Sequence, residues 1–368
     1  MRQHSPSSWA AIGICIAALV HFALGFAIEF SVDEAHYALY AQHLAWSYFD
    51  HPPLVGWIQW PLISITSLEG IIRLIPEFLW VISCYLVYQV TLEIHHLIQG
   101  RNAGYLTSTL PAQNTCGLMA VLAIVAAPIP HVLAIGLLPD TLLTPLSLGL
   151  MLMALRWLSK EYFNVSDWVF TGVLLGLSGL SKYTAAFSAL ALLLVFLSSP
   201  RKNWINTTGF WLAAIIALFC ISPVLYWNWA NDWISFKYQI AHGAGSTWLW
   251  RKLATYVGLQ ILVYGPLLLL GTYLFIKYCV HGAKLSVWAL LGFFVIPFAI
   301  FTSLSGGGGL PHWTAPAWFC LAPFAGIGLA KAWAIPPVPK IPQRKLLIRL
   351  LHLNHRYLIY STNGGLFS

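Results

Sequence analysis

The chain has 368 residues, 59% of them hydrophobic and only 8% charged, with a mean hydropathy of +0.74. So much apolar surface cannot be enclosed in a water-soluble core, which excludes an ordinary soluble globular protein and makes lipid the solvent. The net charge of +8 comes from basic residues scattered between apolar runs rather than gathered on one face, which excludes a nucleic-acid-binding domain.

The first apolar run, Trp9 to Ile28, has no small-residue cleavage site and exceeds a signal h-region, so it reads as an uncleaved first helix. Residues 30–75 form a long outer segment. Within it, residues 33–46 wind as an amphipathic helix with Asp33, Tyr37 and Tyr40 on one face. His51-Pro52-Pro53 breaks that helix. A second amphipathic stretch, Leu54 to Leu68, carries Trp57 and Trp60 and suits the membrane interface. Further spans are predicted at 76–98, 117–137, 141–158, 167–181, 184–198, 206–223, 254–276, 285–304 and 314–334. With 9–29 they make about ten transmembrane helices, an all-α polytopic bundle with interfacial helices in its first outer loop. The expected domains are a membrane-embedded unit, 1–334, and a basic cytoplasmic tail, 335–368. The six cysteines show no CxxC pair and no zinc-type spacing, and read as small core residues.

Charge supports this threading. Only Arg73, Lys182, Lys237, Arg251 and Lys252 of the 19 Lys and Arg residues face outwards, in keeping with the positive-inside rule. Glu29, Asp33, Glu34, Asp50, Glu69, Asp140 and Asp232 fall on or near the outer face, so the chemistry is expected there.

Charged groups at a membrane boundary are costly unless they pair or act. Asp33-Glu34 reads either as the solvated first turn of a helix, favoured by its dipole, or as catalytic carboxylates. In the second reading Asp33 is the general base for an acceptor hydroxyl. Asp140, beside Pro139, is an N-cap or a further carboxylate shaping the site. Lys182 stands alone between two apolar runs, as a snorkelling helix-end lysine or as the cation that meets a leaving phosphate. Arg251 and Lys252, following Trp248 and Trp250, are phosphate ligands or headgroup anchors. Asp50 and His242 are weighed as ligands of a divalent metal ion, without a third partner to complete a site.

The segment Asp33-Glu34-Ala35-His36-Tyr37, followed by Leu44 to Val55 with Asp50-His51-Pro52-Pro53, resembles the first outer loop of bacterial members of the dolichyl-phosphate-mannose protein mannosyltransferase superfamily, which includes the lipid A aminoarabinose transferases. Pro139-Asp140, Gly179 to Thr184, Ser222-Pro223 with Trp227-Asn228, Trp233 to Phe236 with Gln239 and His242, and Pro311-His312-Trp313 with Ala315-Pro316-Ala317 continue the likeness in order. The resemblance implies a GT-C type fold with an outer cavity, Asp33 as the catalytic carboxylate, and a sugar carried on undecaprenyl phosphate. On charge and position, Tyr37, His51, Lys182 and Arg251 are assigned to the donor phosphate, and His312 and Trp313 to the sugar or acceptor. Where aminoarabinose transferases read Glu-Lys-Pro-Pro, this chain reads Asp50-His51-Pro52-Pro53, with a titratable imidazole in place of a fixed ammonium.

The function expected is transfer of a sugar from that carrier to lipid A, another envelope glycolipid or glycan, or a protein, at the periplasmic face of a bacterial inner membrane. A transporter or flippase for a lipid-linked solute is the alternative. It is disfavoured because the acids lie at span ends and no internal repeat is visible. A catalytically inactive relative is the third reading.

Overall fold

The computed structural model describes residues 5–101, 110–199, 203–244, 247–279 and 285–334. Every regular element among them is helical. The tail 335–368 lies outside the described residues.

Helix α1 (Pro6–Ala27) starts with Ser5 as N-cap and Pro6 in the first turn, an arrangement that satisfies an orphan amide and presets the backbone. Two short helices follow, α2 (Val32–Gln42) and α3 (Leu54–Ile63), in the places expected for the interfacial pair. They pack closely at Gly56, where an added Cβ would stand 2.9 Å from Tyr40 Cβ. Next come α4 (Glu69–Ile72) and the long α5 (Leu74–Arg101).

The predicted span 117–137 is two helices, α6 (Gln113–Val125) and α7 (Pro128–Ile135), bent by 75°. Pro128 lacks the amide that would continue the ladder, so a new helix starts there. Then follow α8 (Pro139–Ser159), α9 (Val165–Ser181), α10 (Ala185–Ser198), α11 (Thr208–Ala230) and α12 (Ile234–Ala244). The predicted span 254–276 is likewise divided, into α13 (Trp250–Tyr264) and α14 (Pro266–Cys279), which meet at 88°. Gly265, at φ 78°, ends α13 in a conformation that L side chains rarely adopt, and Pro266 opens α14. The series closes with α15 (Leu285–Leu290), α16 (Gly292–Leu304) and α17 (Ala315–Ala334).

Each of the ten apolar runs is thus helical, but they are not ten equal rods. Among the described residues five helices are long and apolar enough to cross a membrane, or seven if each bent pair counts as one crossing. The runs at 165–181, 185–198 and 292–304 form shorter apolar helices.

Helix α8 is apolar nearly all round and buried along most of its length, which makes it a central element. Helices α1 and α11 instead leave Leu19, Ile215, Leu218 and Phe219 exposed, a surface suited to acyl chains. Without a hydrophobic drive between helices in lipid, close approach must come from small residues. Gly172, Gly176 and Gly179 of α9 accordingly face Ala213, Cys220 and Ile221 of α11, and Gly328 of α17 lies against the Gly271 carbonyl of α14. Cys84, Cys116, Cys279 and Cys320 are buried as free thiols, while Cys15 is exposed.

Candidate active site

One cavity of about 520 Å3 gathers residues from six separate stretches of the chain. Asp33 and Tyr37 come from α2, Asp50 and His51 from the loop before α3, Asp140 from α8, and Lys182 from the end of α9. The segment 183–187 and α12 add aromatic walls, and the turn holding His312 and Trp313 closes the far side.

The start of α2 separates two neighbouring acids. Ser31 accepts a hydrogen bond from the Glu34 amide (3.3 Å), and the Glu34 carboxylate accepts one from the Ser31 amide (2.9 Å), forming a capping box. Glu34 also receives Arg73 through Nε at 2.8 Å and Nη2 at 3.1 Å. The same guanidinium donates to the carbonyls of Gly25, Ile28 and Glu29. Glu34 therefore faces away from the cavity, in a buried clamp between α1, α2 and the segment before α5. Asp33, one residue earlier, is exposed and lines the cavity, and its carboxylate has no hydrogen-bond or ion-pair partner among the described residues.

Tyr37 stands one turn beyond Asp33. Its phenol is held well above the ordinary range by burial and then by the carboxylates of Asp50, Asp140 and Asp33, so it remains a hydroxyl donor. Asp50 accepts hydrogen bonds from the Tyr40 hydroxyl and pairs with His36 Nε2 at 3.2 Å. Tyr40 in turn stacks on Tyr48, with ring centroids 3.7 Å apart. The Gln239 side chain donates to the Asp50 carbonyl, joining α12 to this loop. His51 packs edge-on to Tyr37 with ring centroids 5.6 Å apart, and its Nδ1 is buried without a hydrogen-bond partner. Burial, and after it the Lys182 charge, pushes the His51 imidazole down to about 4, so it is neutral at pH 7.

Opposite lies the strongest pair in the cavity. The Lys182 ammonium donates to both carboxylate oxygens of Asp140 at 2.7 Å, with both side chains buried. His312 Nε2 is 3.8 Å from the same carboxylate. The turn carrying His312 and Trp313 is anchored from α13: Gln260 Nε2 and the Tyr264 hydroxyl each donate to the Pro311 carbonyl at 3.1 Å. The Gln260 side-chain carbonyl accepts from Thr314 (2.6 Å) and from Trp318 (2.7 Å). Asn228 of α11 donates to the Tyr183 hydroxyl at 3.3 Å, fixing the ring beside Lys182.

Asp33, Tyr37, Asp50, His51, Asp140, Lys182, His312 and Trp313 thus meet in one space. Arg251 does not: it lines a separate cavity. The side chain of His242 lies outside the described residues. Both Asp50 oxygens are engaged by Tyr40 and His36, and among the described residues no group of three or more His, Cys, Asp or Glu could hold a metal ion. Sequence reasoning passed over Tyr183, Phe236 and Tyr238, which line the cavity. Tyr183 and Phe236 lay inside quoted motifs, but aromatic residues are too common in this chain to single out Tyr238.

The sequence model described as dolichyl-phosphate-mannose-protein mannosyltransferase matches residues 105–227. Among solved structures, the chain is similar to ArnT from Cupriavidus metallidurans bound to undecaprenyl phosphate, with a TM-score of 0.63 and 16% identity. That match covers 98% of this chain, which spans 66% of the ArnT chain, just under two thirds. A comparison with curated proteins gives no match. Over the matched segment the chain is thus similar to the mannosyltransferases, and its described helices share the fold of ArnT.

Proposed function

We propose that the protein is a glycosyltransferase that takes a sugar from a polyprenyl-phosphate carrier and transfers it to an acceptor entering the same cavity. The observation that carries this reading is the facing of the unpartnered Asp33 carboxylate and the buried Lys182–Asp140 pair across one cavity. The family and fold likeness supports it, and the ArnT structure named above holds undecaprenyl phosphate.

In this reading the acceptor oxygen attacks the anomeric carbon, the bond from that carbon to the carrier phosphate breaks, and the phosphate leaves with the electron pair. Asp33 accepts the proton of an acceptor hydroxyl; for an acceptor that is already ionised, Asp33 orients it. Lys182 uses two of its three N–H groups on Asp140, and the third is left for a leaving phosphate oxygen. Three carboxylates facing one ammonium give the cavity a negative field. That field favours the positive charge that builds on the sugar ring as the bond to phosphate loosens. Trp313 and Phe236 supply apolar faces for a sugar ring. Tyr37 and neutral His51 supply hydrogen bonds without charge.

The cavity is assigned to the outer face of a bacterial inner membrane, on the support of the charge bias of the loops. Labelling of the exposed position Val32→Cys in intact cells by an impermeant thiol reagent tests this, and protection until lysis reverses it. The activity is tested with the full chain in vesicles, given undecaprenyl phosphates bearing a hexose, a pentose or an amino sugar with extracted envelope acceptors. The expected result is release of undecaprenyl phosphate, detected by mass spectrometry, with one donor class. Failure of all three donors to turn over, with binding of the carrier also absent, removes the reading.

A further inference from the structure

The glycine-rich loop between α16 and the His312 turn has two faces. Leu304 and Leu310 line the carboxylate cavity. Between them, Ser305, Gly308 and Gly309 line a second cavity of about 410 Å3, together with Arg251, Lys252, Thr255, Tyr256 and Leu259. The two cavities thus share a wall and differ in sign: the first is lined by three carboxylates and one lysine, the second by two cations and no acid.

The placement of those cations is informative. Arg251 and Lys252 occupy the first turn of α13, where the helix dipole opposes positive charge. Nothing in helix stability accounts for two cations there. The N-cap, Leu249, supplies no side-chain acceptor for the first amides of the helix, and its own amide is turned aside to the Gly306 carbonyl at 2.7 Å. The Arg251 guanidinium is exposed and has no ion-pair partner among the described residues. Lys252 lies at its side and donates to the Gly307 carbonyl at 3.3 Å. Gly308 takes φ 131°, and the space where its Cβ would stand is open, so the loop backbone leaves room on this side. An anion seated between the loop and the start of α13 meets two side-chain cations, the uncapped amides and the favourable end of the dipole together.

We infer that this second cavity is a phosphate-binding site, taking a phosphate mono- or diester at a place separate from the phosphate of the transfer reaction. The chemistry is shared by a phospholipid headgroup and by free phosphate. The inference does not rest on the transfer reading, because it concerns different residues and a different space.

The test is equilibrium binding to the full chain in a neutral maltoside detergent at fixed ionic strength, with dioctanoyl phosphatidic acid and inorganic phosphate as separate probes. Wild type is expected to bind the lipid at one saturable site. Arg251→Gln with Lys252→Gln should weaken that binding at least ten-fold. Lys237→Gln, which removes an exposed charge lining neither cavity, should leave it within two-fold. Binding of the lipid alone identifies a headgroup, and equal loss of inorganic phosphate binding shows that the phosphate group suffices. The inference is overturned if neither probe binds, if Lys237→Gln weakens binding as much as the pair, or if Lys182→Gln abolishes binding that the pair leaves intact. Melting temperatures of all variants are taken in parallel. If the double variant does not fold, Arg251→Gln alone is read, with at least a three-fold loss expected and an unchanged affinity counting against the site.

Discussion

Lys182 and Asp140 meet at opposite dipole ends of two neighbouring helices: Asp140 in the first turn of α8, Lys182 at the C-cap of α9, with 2.7 Å between the ammonium and each carboxylate oxygen. Each charge is favoured by its own helix end before the pair forms. The pair then fixes where α8 and α9 end relative to one another, and so sets the floor of the cavity.

Removing one partner strands the other as a buried charge, which costs about 3–5 kcal/mol, whereas replacing both by apolar groups of similar shape is close to neutral. Asp140→Leu and Lys182→Met should therefore each lower the melting temperature of the detergent-solubilised chain, and the double variant should recover most of that loss. Transfer activity should stay lost in all three. Recovered activity in the double variant would show that the pair is scaffold only.

Asp33 and Glu34 are adjacent, yet their expected effects are opposite. Asp33→Asn removes the proton acceptor from an exposed carboxylate, so turnover should fall by about 100-fold or more with little change in melting temperature. Glu34→Ala leaves the Arg73 guanidinium buried and unpaired, so it should cost about 3–5 kcal/mol of stability. Such protein as folds should retain turnover. Thermal melts and initial rates on the same preparations separate the two roles, and loss of turnover in well-folded Glu34→Ala would return Glu34 to the chemistry.

Why these two acids look alike in sequence and differ in space is a matter of helix geometry. Successive residues on a helix point about 100° apart, and the partner that claims Glu34 lies 39 residues further on. The apolar helices were legible because burial in lipid demands long runs, and Asp33, Asp140 and Lys182 stood out because charge in such a chain is costly. The breaks at Ala126–Pro128 and Gly265–Pro266 were blurred, since hydropathy is averaged over a span's length and is blind to one residue's φ. The company Asp50 keeps, Tyr40 and His36, depends on the fold of the whole outer loop. His242 was weighed with Asp50 because both fall in outer segments that the fold could bring together, and its side chain lies outside the described residues.

His51 makes the pH dependence of stability predictable in sign. Its ordinary value is 6.5, and burial followed by the Lys182 charge pushes it down to about 4, against the opposing pull of Asp50 and Asp140 and with a smaller downward push from His36. Below 6.5 the unfolded chain takes up a proton that the folded chain refuses. Stability contributed by a neutral His51 is therefore complete above about pH 6.5 and lost as pH falls towards 4. Melting temperatures between pH 4.5 and 7.5 should drop more steeply on the acid side for wild type than for His51→Asn. Parallel curves would place the proton uptake elsewhere.

The contact of α9 with α11 offers a test that touches no cavity residue. An added Cβ at Gly172 would lie 2.6 Å from the Ala213 carbonyl oxygen, and one at Gly176 would lie 2.4 Å from Cys220 Cβ. Backbone cannot rotate out of the way as a side chain can, so Gly172→Ala must part the helices and should cost about 1–3 kcal/mol. The strain should also travel: α9 ends on Lys182, and α11 carries Asn228, which holds the Tyr183 hydroxyl at 3.3 Å. Gly172→Ala should therefore lower the melting temperature and, at temperatures where the chain is still folded, weaken binding of undecaprenyl phosphate. Gly258→Ala, at a helical glycine with nothing within 4 Å of the new Cβ, is the control and should leave binding unchanged without lowering the melting temperature. An unaltered melting temperature in Gly172→Ala would mean that α9 and α11 can separate without cost, and that the glycine contact does not position the end of α9.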